Sequence, residues 1–222
     1  MRFETARVGA RRRWLGHCTV LLAALAVAPP FALAAASAEP VILVVGDSLS
    51  AEYGLRRGTG WVALLEQRLA RDKIASRVVN SSISGDTTSG GRSRLPALLK
   101  QFNPTHVVIE LGGNDALRGL PLSMTESNLR AMARTAAASG AKVLIAGMQI
   151  PPNYGRKYAE TFAGLFADVA KAEGAALLPF LLTGVADGVD YSLFQPDRIH
   201  PREEAHPVIL DNVWAVLRPM LV

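Results

Sequence analysis

Short aliphatic runs alternate with longer amphipathic segments from residue 41 to the end of the chain. The aliphatic runs predict strands at residues 41–45, 77–81, 106–111, 142–147 and 176–180. Most of these runs lack a polar face, which is typical of strands that are covered on both sides in a parallel sheet.

The segments between these runs carry apolar residues at helical spacing. They predict helices at residues 61–71, 91–101, 125–139, 158–173 and 202–217. In the first segment Trp61, Leu65 and Leu69 share one face, which we expect to pack on the sheet. Five strands in alternation with five helices predict an α/β fold, a three-layer open parallel sheet in a single domain over residues 39–222.

The first 38 residues have a different pattern, which predicts a cleavable signal peptide. Five arginines near the start are followed by an apolar stretch over residues 20–35 and by Ala36-Ser37-Ala38, an A-x-A site. We expect cleavage after Ala38, with Ala34 as the second choice, and a periplasmic or secreted product. The apolar stretch is short for a bilayer span, so we expect no stable membrane insertion after processing.

Charge and cysteine content exclude several classes of protein once this segment is set aside. The net charge is +5, but the residues after position 38 contain 19 basic and 18 acidic side chains. No basic stripe remains, so we expect no nucleic-acid partner. The only cysteine, Cys18, lies in the leader, so the processed chain has neither a disulfide nor a cysteine metal ligand.

Polar turns follow the predicted strands, at the edge where open α/β sheets bind their ligands. Gly46-Asp47-Ser48 follows the first strand, residues 82–88 follow the second, and Gly112-Gly113-Asn114-Asp115 follows the third. Each of these turns combines glycine with an acid and with a hydroxyl or amide side chain. Glycine allows backbone N–H groups to approach a ligand closely.

Ser48 is the candidate nucleophile, and it needs a histidine to take its proton. The two candidates are His200 and His206, and we prefer His200 because Asp197, three residues earlier in "QPDRIHP", can bond the other ring nitrogen and fix the tautomer. The only acid three residues before His206 is Glu203. His106 begins a buried strand at the opposite edge, so we expect it to be structural. We expect Ser50, two residues after the nucleophile, to cap a helix.

The remaining candidate residues would bind the substrate or the oxyanion. The N–H groups of Ser48 and Gly85 and the amide of Asn114 are the predicted oxyanion donors. Apolar residues in the loops either line an acyl channel or belong to the core. Those that we assign to substrate binding are Leu111, Ile150, Pro151 and Tyr154. We include Asp47 in the same set, and we expect it to brace the nucleophile turn.

Four ordered blocks of this sequence resemble the SGNH, or GDSL, hydrolases. The blocks are "GDSLS" at 46–50, "SISGDTTSGG" at 82–91, "ELGGNDALRG" at 110–119 and "DRIHP" at 197–201. The stretches "RLPALLK", "MQIPPNYGRKY" and "LLPF" are similar to the periplasmic arylesterase, acyl-CoA thioesterase I and lysophospholipase branch. The resemblance implies a flavodoxin-like sheet, a monomer without metal or other cofactor, and hydrolysis of small acyl esters and thioesters.

Two residues depart from that resemblance. Arg198 stands where the similar proteins usually have glycine, and His206 stands where they usually have glutamine. A cation beside the Asp197–His200 pair is expected to lower the basicity of His200, and His206 is expected to be a polar contact near the site.

The residues predict a serine esterase and thioesterase that works through a Ser–His–Asp triad and an acyl-enzyme. The alternatives are a carbohydrate O-acetyl esterase of the same superfamily, a non-catalytic periplasmic binding protein, and a metal-dependent phosphoesterase. The last would use Asp47, Asp115, Asp197 and His200 as ligands.

Overall fold

A computed structural model describes residues 39–188 and 190–221. The predicted signal peptide lies outside the described residues. Five parallel strands form one sheet: β1 (Val41–Gly46), β2 (Arg77–Asn80), β3 (His106–Glu110), β4 (Lys142–Ala146) and β5 (Ala176–Leu178). All five lie where the aliphatic runs predict them, with ends that differ by no more than two residues.

Six α-helices accompany these strands within the described residues: α1 (Trp61–Arg71), α2 (Thr88–Phe102), α3 (Gly113–Leu117), α4 (Leu122–Ala138), α5 (Arg156–Glu173) and α6 (His206–Leu217). Short 3₁₀ turns occupy Pro152–Tyr154, Glu203–Ala205 and Arg218–Leu221. Helix α1 packs with α6, whereas α4 packs with α2 and α5. These two groups of helices cover opposite faces of the sheet and complete the predicted three-layer α/β fold.

The strand order, β2-β1-β3-β4-β5, positions the site. The chain passes from β1 to β2 on one side and then to β3 on the other, so the connections diverge above β1 and β3. In sheets of this kind the crevice at such a switch point binds the ligand. Strands β1 and β3 are buried at every position, as expected for strands covered by helices on both faces.

Three helices begin three or four residues from their predicted starts: α2, α4, which begins at Leu122 instead of residue 125, and α6. Helix α2 begins at Thr88 instead of residue 91, because the Thr87 side chain accepts the Gly90 N–H and caps the extra turn. The turn predicted after β3 continues as the short helix α3, and α6 begins at His206 after a 3₁₀ turn instead of at residue 202.

His106 is structural, as its place at the start of β3 predicts. Its Nε2 lies 2.9 Å from the Met220 carbonyl oxygen and its Nδ1 lies 2.9 Å from Thr105 Oγ1. Burial lowers the pKa of this imidazole, which favours a neutral ring. No helix among the described residues is both long enough and apolar enough to cross a bilayer.

Substitution of Gly147 tests the close approach between the ends of β4 and β5. A Cβ at this position would lie 2.2 Å from the Pro179 carbonyl oxygen and 3.0 Å from the Leu178 oxygen, so backbone would have to move. We expect Gly147→Ala to lower the free energy of unfolding by about 1–3 kcal/mol, measured by urea denaturation.

The matched control for this variant is Gly164→Ala in α5, where a new Cβ meets nothing within 4 Å. This control should raise the free energy of unfolding by about 0.4–1 kcal/mol, because alanine restricts the unfolded chain. Equal stability of the two variants would contradict the steric argument.

Candidate active site

The structure brings together three of the predicted site residues at the carboxyl edge of the sheet. His200 Nε2 lies 2.9 Å from Ser48 Oγ, and His200 Nδ1 lies 2.7 Å from Asp197 Oδ2. Ser48 follows β1, whereas Asp197 and His200 lie in the loop before α6. Ser48 and His200 are 152 positions apart in the chain. The imidazole therefore joins a hydroxyl to a carboxylate, the geometry that activates a serine.

The Asp197–His200 loop is held by a compact set of hydrogen bonds. Asp197 Oδ1 accepts the N–H groups of Ile199 at 2.9 Å and of His200 at 3.0 Å, which forms an Asx turn. Partial burial raises the pKa of Asp197, but the bonds from the His200 amide, the His200 ring and the Ile199 amide outweigh burial and leave it below its usual value. The carboxylate is therefore ionised at neutral pH.

Arg198 occupies the left-handed region of backbone space inside this loop, with φ of 58°. Such a conformation costs a non-glycine residue about 1–2 kcal/mol, so the surrounding bonds must hold it. The guanidinium lies over the Tyr191 ring, 5.2 Å from its centroid. This contact holds the cation against an aromatic face within the loop that carries the base.

The turn that carries Ser48 begins where β1 ends. Asp47 Oδ1 accepts the Leu49 N–H at 3.0 Å, and the Asp47 carbonyl accepts the Ala51 N–H at 3.0 Å. The expected bracing role of Asp47 agrees with these contacts. The expected capping role of Ser50 is wrong, because its hydroxyl donates to Glu110 Oε2 at 2.7 Å.

The three predicted oxyanion donors lie on neighbouring segments of the same edge. The Asp86 N–H donates to the Ile83 carbonyl and closes a turn, in which Gly85 is the third residue. Gly85 has a φ of 79°, a backbone conformation that favours glycine. Asn114, in the first turn of α3, donates through Nδ2 to Asp47 Oδ2 at 3.0 Å, which leaves its second amide hydrogen available. Within the described residues, the N–H groups of Ser48 and Gly85 have no protein acceptor.

The residues predicted to bind substrate separate into buried and exposed sets. Leu111 is completely buried in the core, and Asp47 is buried with both carboxylate oxygens bonded, so the structure corrects both to supporting positions. Ile150 is also nearly buried. Pro151 and Tyr154 are exposed in the segment after β4, where substrate contact stays a prediction.

His206, which we expected to be a polar contact near the site, forms no hydrogen bond to His200 among the described residues. It is buried, and its Nδ1 accepts the Trp61 N–H at 3.0 Å. Burial lowers the pKa of His206, and a neutral ring is what this acceptor role requires. His206 therefore caps the start of α1 from the first residue of α6.

Sequence reasoning missed Tyr53 and Glu110. The Tyr53 ring packs against the His200 ring with centroids 4.4 Å apart and planes inclined by 40°. Glu110 ends β3 completely buried, one strand away from the nucleophile turn. Two features of the sequence could have indicated them: Tyr53 is an aromatic residue in the loop after Ser48, and Glu110 is a single acid at the end of an apolar run.

The ligand set of a metal-dependent phosphoesterase does not converge. Asp115 accepts the Thr88 N–H at 2.9 Å and hydroxyl at 2.5 Å, away from the Asp197–His200 pair. Across residues 39–188 and 190–221, no group of three His, Cys, Asp or Glu side chains is arranged to hold a metal ion. The geometry therefore does not support that alternative.

Comparison with known proteins gives one consistent result. The sequence matches the GDSL-like Lipase/Acylhydrolase family over residues 44–208. Esterase TesA from Pseudomonas aeruginosa is 53% identical over 185 residues, 83% of this chain and 91% of that protein. Thioesterase 1/protease 1/lysophospholipase L1 from Escherichia coli is 42% identical over 188 residues, 84% of this chain and 87% of that protein.

The same relationship holds in three dimensions. The crystal structure of TesA superposes with a TM-score of 0.79 at 53% identity, covering 82% of this chain and 99% of the solved one. The family match includes the turns that carry Ser48, Gly85, Asn114 and His200. This chain therefore belongs to the GDSL-like lipase/acylhydrolase family, the SGNH hydrolases.

Proposed function

We propose that this chain is an SGNH-type esterase and thioesterase in which Ser48 forms an acyl-enzyme. The observation that carries the proposal is the position of the His200 ring, 2.9 Å from Ser48 Oγ on one side and 2.7 Å from Asp197 Oδ2 on the other. The carboxylate keeps the proton on Nδ1, so Nε2 is free to accept the serine proton.

The reaction then follows in two halves. His200 takes the Ser48 proton as Oγ bonds to the acyl carbon, and the oxyanion accepts hydrogen bonds from the Ser48 and Gly85 N–H groups and the Asn114 amide. Collapse of this intermediate breaks the bond to the alcohol or thiol, which takes the proton from His200. Water, deprotonated by His200, then attacks the acyl-enzyme, releases the carboxylic acid and restores Ser48.

The surface around the triad favours an apolar acyl group. Tyr53, Ile83 and Ile199 are 50%, 53% and 46% exposed, although large apolar side chains usually lie inside. Tyr53 contacts the His200 ring, Ile199 precedes His200, and Ile83 begins the turn of Gly85. An acyl chain of medium to long length would cover these side chains and remove their apolar surface from water.

A relative supports thioester hydrolysis, and the leader supports export. The name of the Escherichia coli relative includes thioesterase and lysophospholipase activities, which supports a broad choice of leaving group. The basic and apolar leader supports export to the periplasm or beyond the cell. We propose that the processed chain acts there as a monomer on small acyl esters and thioesters, without a cofactor.

Replacement of Ser48 tests the nucleophile. We expect Ser48→Ala to lower kcat/KM for a p-nitrophenyl acyl ester by about 10⁴-fold or more, because only binding and the oxyanion donors remain. Intact mass after treatment with a fluorophosphonate should show one adduct on the wild-type chain and none on this variant.

The control for this experiment is Ser93→Ala, at an exposed position of α2, which should hydrolyse the ester and form the adduct like the wild type. Substantial turnover by folded Ser48→Ala would disprove the assignment of the nucleophile.

Substitution of the exposed isoleucines tests the acyl contact. Because partial burial of an isoleucine side chain contributes about 1 kcal/mol, we expect Ile83→Ser and Ile199→Ser each to lower kcat/KM for a dodecanoyl ester by about 5-fold. The acetyl ester of the same alcohol serves as the internal control, because its acyl group is too short to cover these residues. Equal losses on both esters would place the isoleucines outside the acyl contact.

A further inference from the structure

A buried carboxyl group lies directly behind the nucleophile turn. Glu110 ends β3, and its Oε2 accepts the Ser50 hydroxyl at 2.7 Å and the Asp47 N–H at 3.2 Å. The side chain is completely buried. Both donors flank Ser48 in sequence, so a single oxygen atom fixes the turn on each side of the nucleophile.

The direction of each hydrogen bond in this cluster is determined by donor chemistry. The Trp61 indole can only donate, and its Nε1 lies 3.2 Å from Ser50 Oγ, so the serine oxygen is the acceptor there. The Ser50 hydroxyl donates to Glu110 Oε2, the only acceptor that it has among the described residues. Two donors thus converge on Oε2, which behaves as a carbonyl oxygen.

The second carboxyl oxygen of Glu110 has a different environment. Oε1 is buried and has no hydrogen-bond partner among the described residues. An ionised carboxylate would place part of its charge on this bare oxygen, at a large cost in desolvation. A neutral acid that carries its proton on Oε1 removes that charge and leaves both bonds to Oε2 in place.

Neighbouring charges support the same protonation state. Burial, followed by repulsion from Asp47, raises the pKa of Glu110 well above its usual value. Burial also raises the pKa of Asp47, to about 6, although bonds from Leu49 and Asn114 and the nearby His200 oppose the rise. From α2, Arg94 extends toward this region and donates to the Gly46 carbonyl at 3.4 Å and to the Ser81 carbonyl. Of the two buried acids, Asp47 therefore carries the charge at neutral pH.

We propose that Glu110 is a positioning residue that, as a neutral carboxylic acid, aligns the turn of Ser48 and, through Asp47, the amide of Asn114. The proposal rests on the proposed function, because it takes Ser48 as the nucleophile and Asn114 as an oxyanion donor. The connection is continuous: Glu110 holds the Asp47 backbone, and the Asp47 side chain accepts from Asn114 Nδ2 at 3.0 Å.

The network also reaches the segment that carries the base. The Trp61 side chain bonds Ser50, while its backbone N–H donates to His206 Nδ1. His206 begins α6, six positions after His200 in the chain. Glu110 therefore belongs to a buried network that connects the turn of Ser48, the amide of Asn114 and the first residue of α6.

Two substitutions at Glu110 distinguish a positioning role of its side chain from a requirement for its negative charge. Glutamine supplies a carbonyl oxygen at the place of Oε2 and is neutral, so we expect Glu110→Gln to keep kcat within about 3-fold of the wild type. Alanine removes the acceptor and leaves two buried donors unpaired, so Glu110→Ala should lower kcat by about 10- to 100-fold, with KM changed by less than about 3-fold. The rate of fluorophosphonate labelling should follow kcat in both variants.

Val107→Ala, in the same strand but at the opposite edge of the sheet, is the control for loss of stability alone. It should unfold at lower urea concentration and keep the wild-type kcat. Should Glu110→Ala fail to fold, Ser50→Ala tests the same turn and should lower kcat by about 5-fold or more at unchanged KM.

The outcomes distinguish this proposal from the proposed function. Absence of labelling in the wild-type chain would reject Ser48 as the nucleophile, whereas normal labelling there with a slow rate only in Glu110→Ala supports the positioning role. A loss in Glu110→Gln as large as in Glu110→Ala would show that an ionised Glu110 is required and would overturn the neutral acid. Wild-type kcat in folded Glu110→Ala or Ser50→Ala would overturn the positioning role itself.

Discussion

The pairing of Gly46 with Glu110 in adjacent parallel strands is the constraint on which the site depends. A Cβ at Gly46 would lie 2.7 Å from Glu110 Oε2 and 2.7 Å from Ser50 Oγ, so only glycine lets the carboxyl group lie under the turn. A shift of one residue in this register would point the Glu110 side chain to the other face of the sheet. The positions of Ser48, of its turn and of the Asn114 amide therefore depend on the register between β1 and β3.

Electrostatic asymmetry is the second general feature of this site. Three acids lie close to the nucleophile, and each has a different environment: Asp197 accepts three hydrogen bonds in its loop, Asp47 accepts two under burial, and Glu110 keeps one oxygen bare. Donors stabilise the ionised form, whereas desolvation opposes it. These environments suit the three roles that we propose for the carboxyl groups: Asp197 orients His200, Asp47 braces the turn, and Glu110 accepts hydrogen bonds as a neutral group.

Much of the fold and part of the site could be predicted from the sequence, because both produce regular patterns. The strands consist largely of aliphatic residues, and the spacing of Asp197 and His200 matches a short turn, so local information suffices. The interactions at Ser50, Glu110 and His206 could not be predicted in this way, since each joins residues that are between 11 and 145 positions apart. Leu111 illustrates the converse problem: an apolar residue after a strand gives no indication of whether it points to the core or to the crevice.

The length of chain between Ser48 and His200 has a consequence for biogenesis. The two residues are 152 positions apart, and His206, which follows the loop of His200, bonds the first residue of α1. During synthesis the proposed nucleophile leaves the ribosome long before the proposed base. Nascent chains that stop short of the loop of His200 carry every residue of the turn of Ser48 but lack that base, so under the proposed mechanism competence for hydrolysis arrives only after residue 200 has been made.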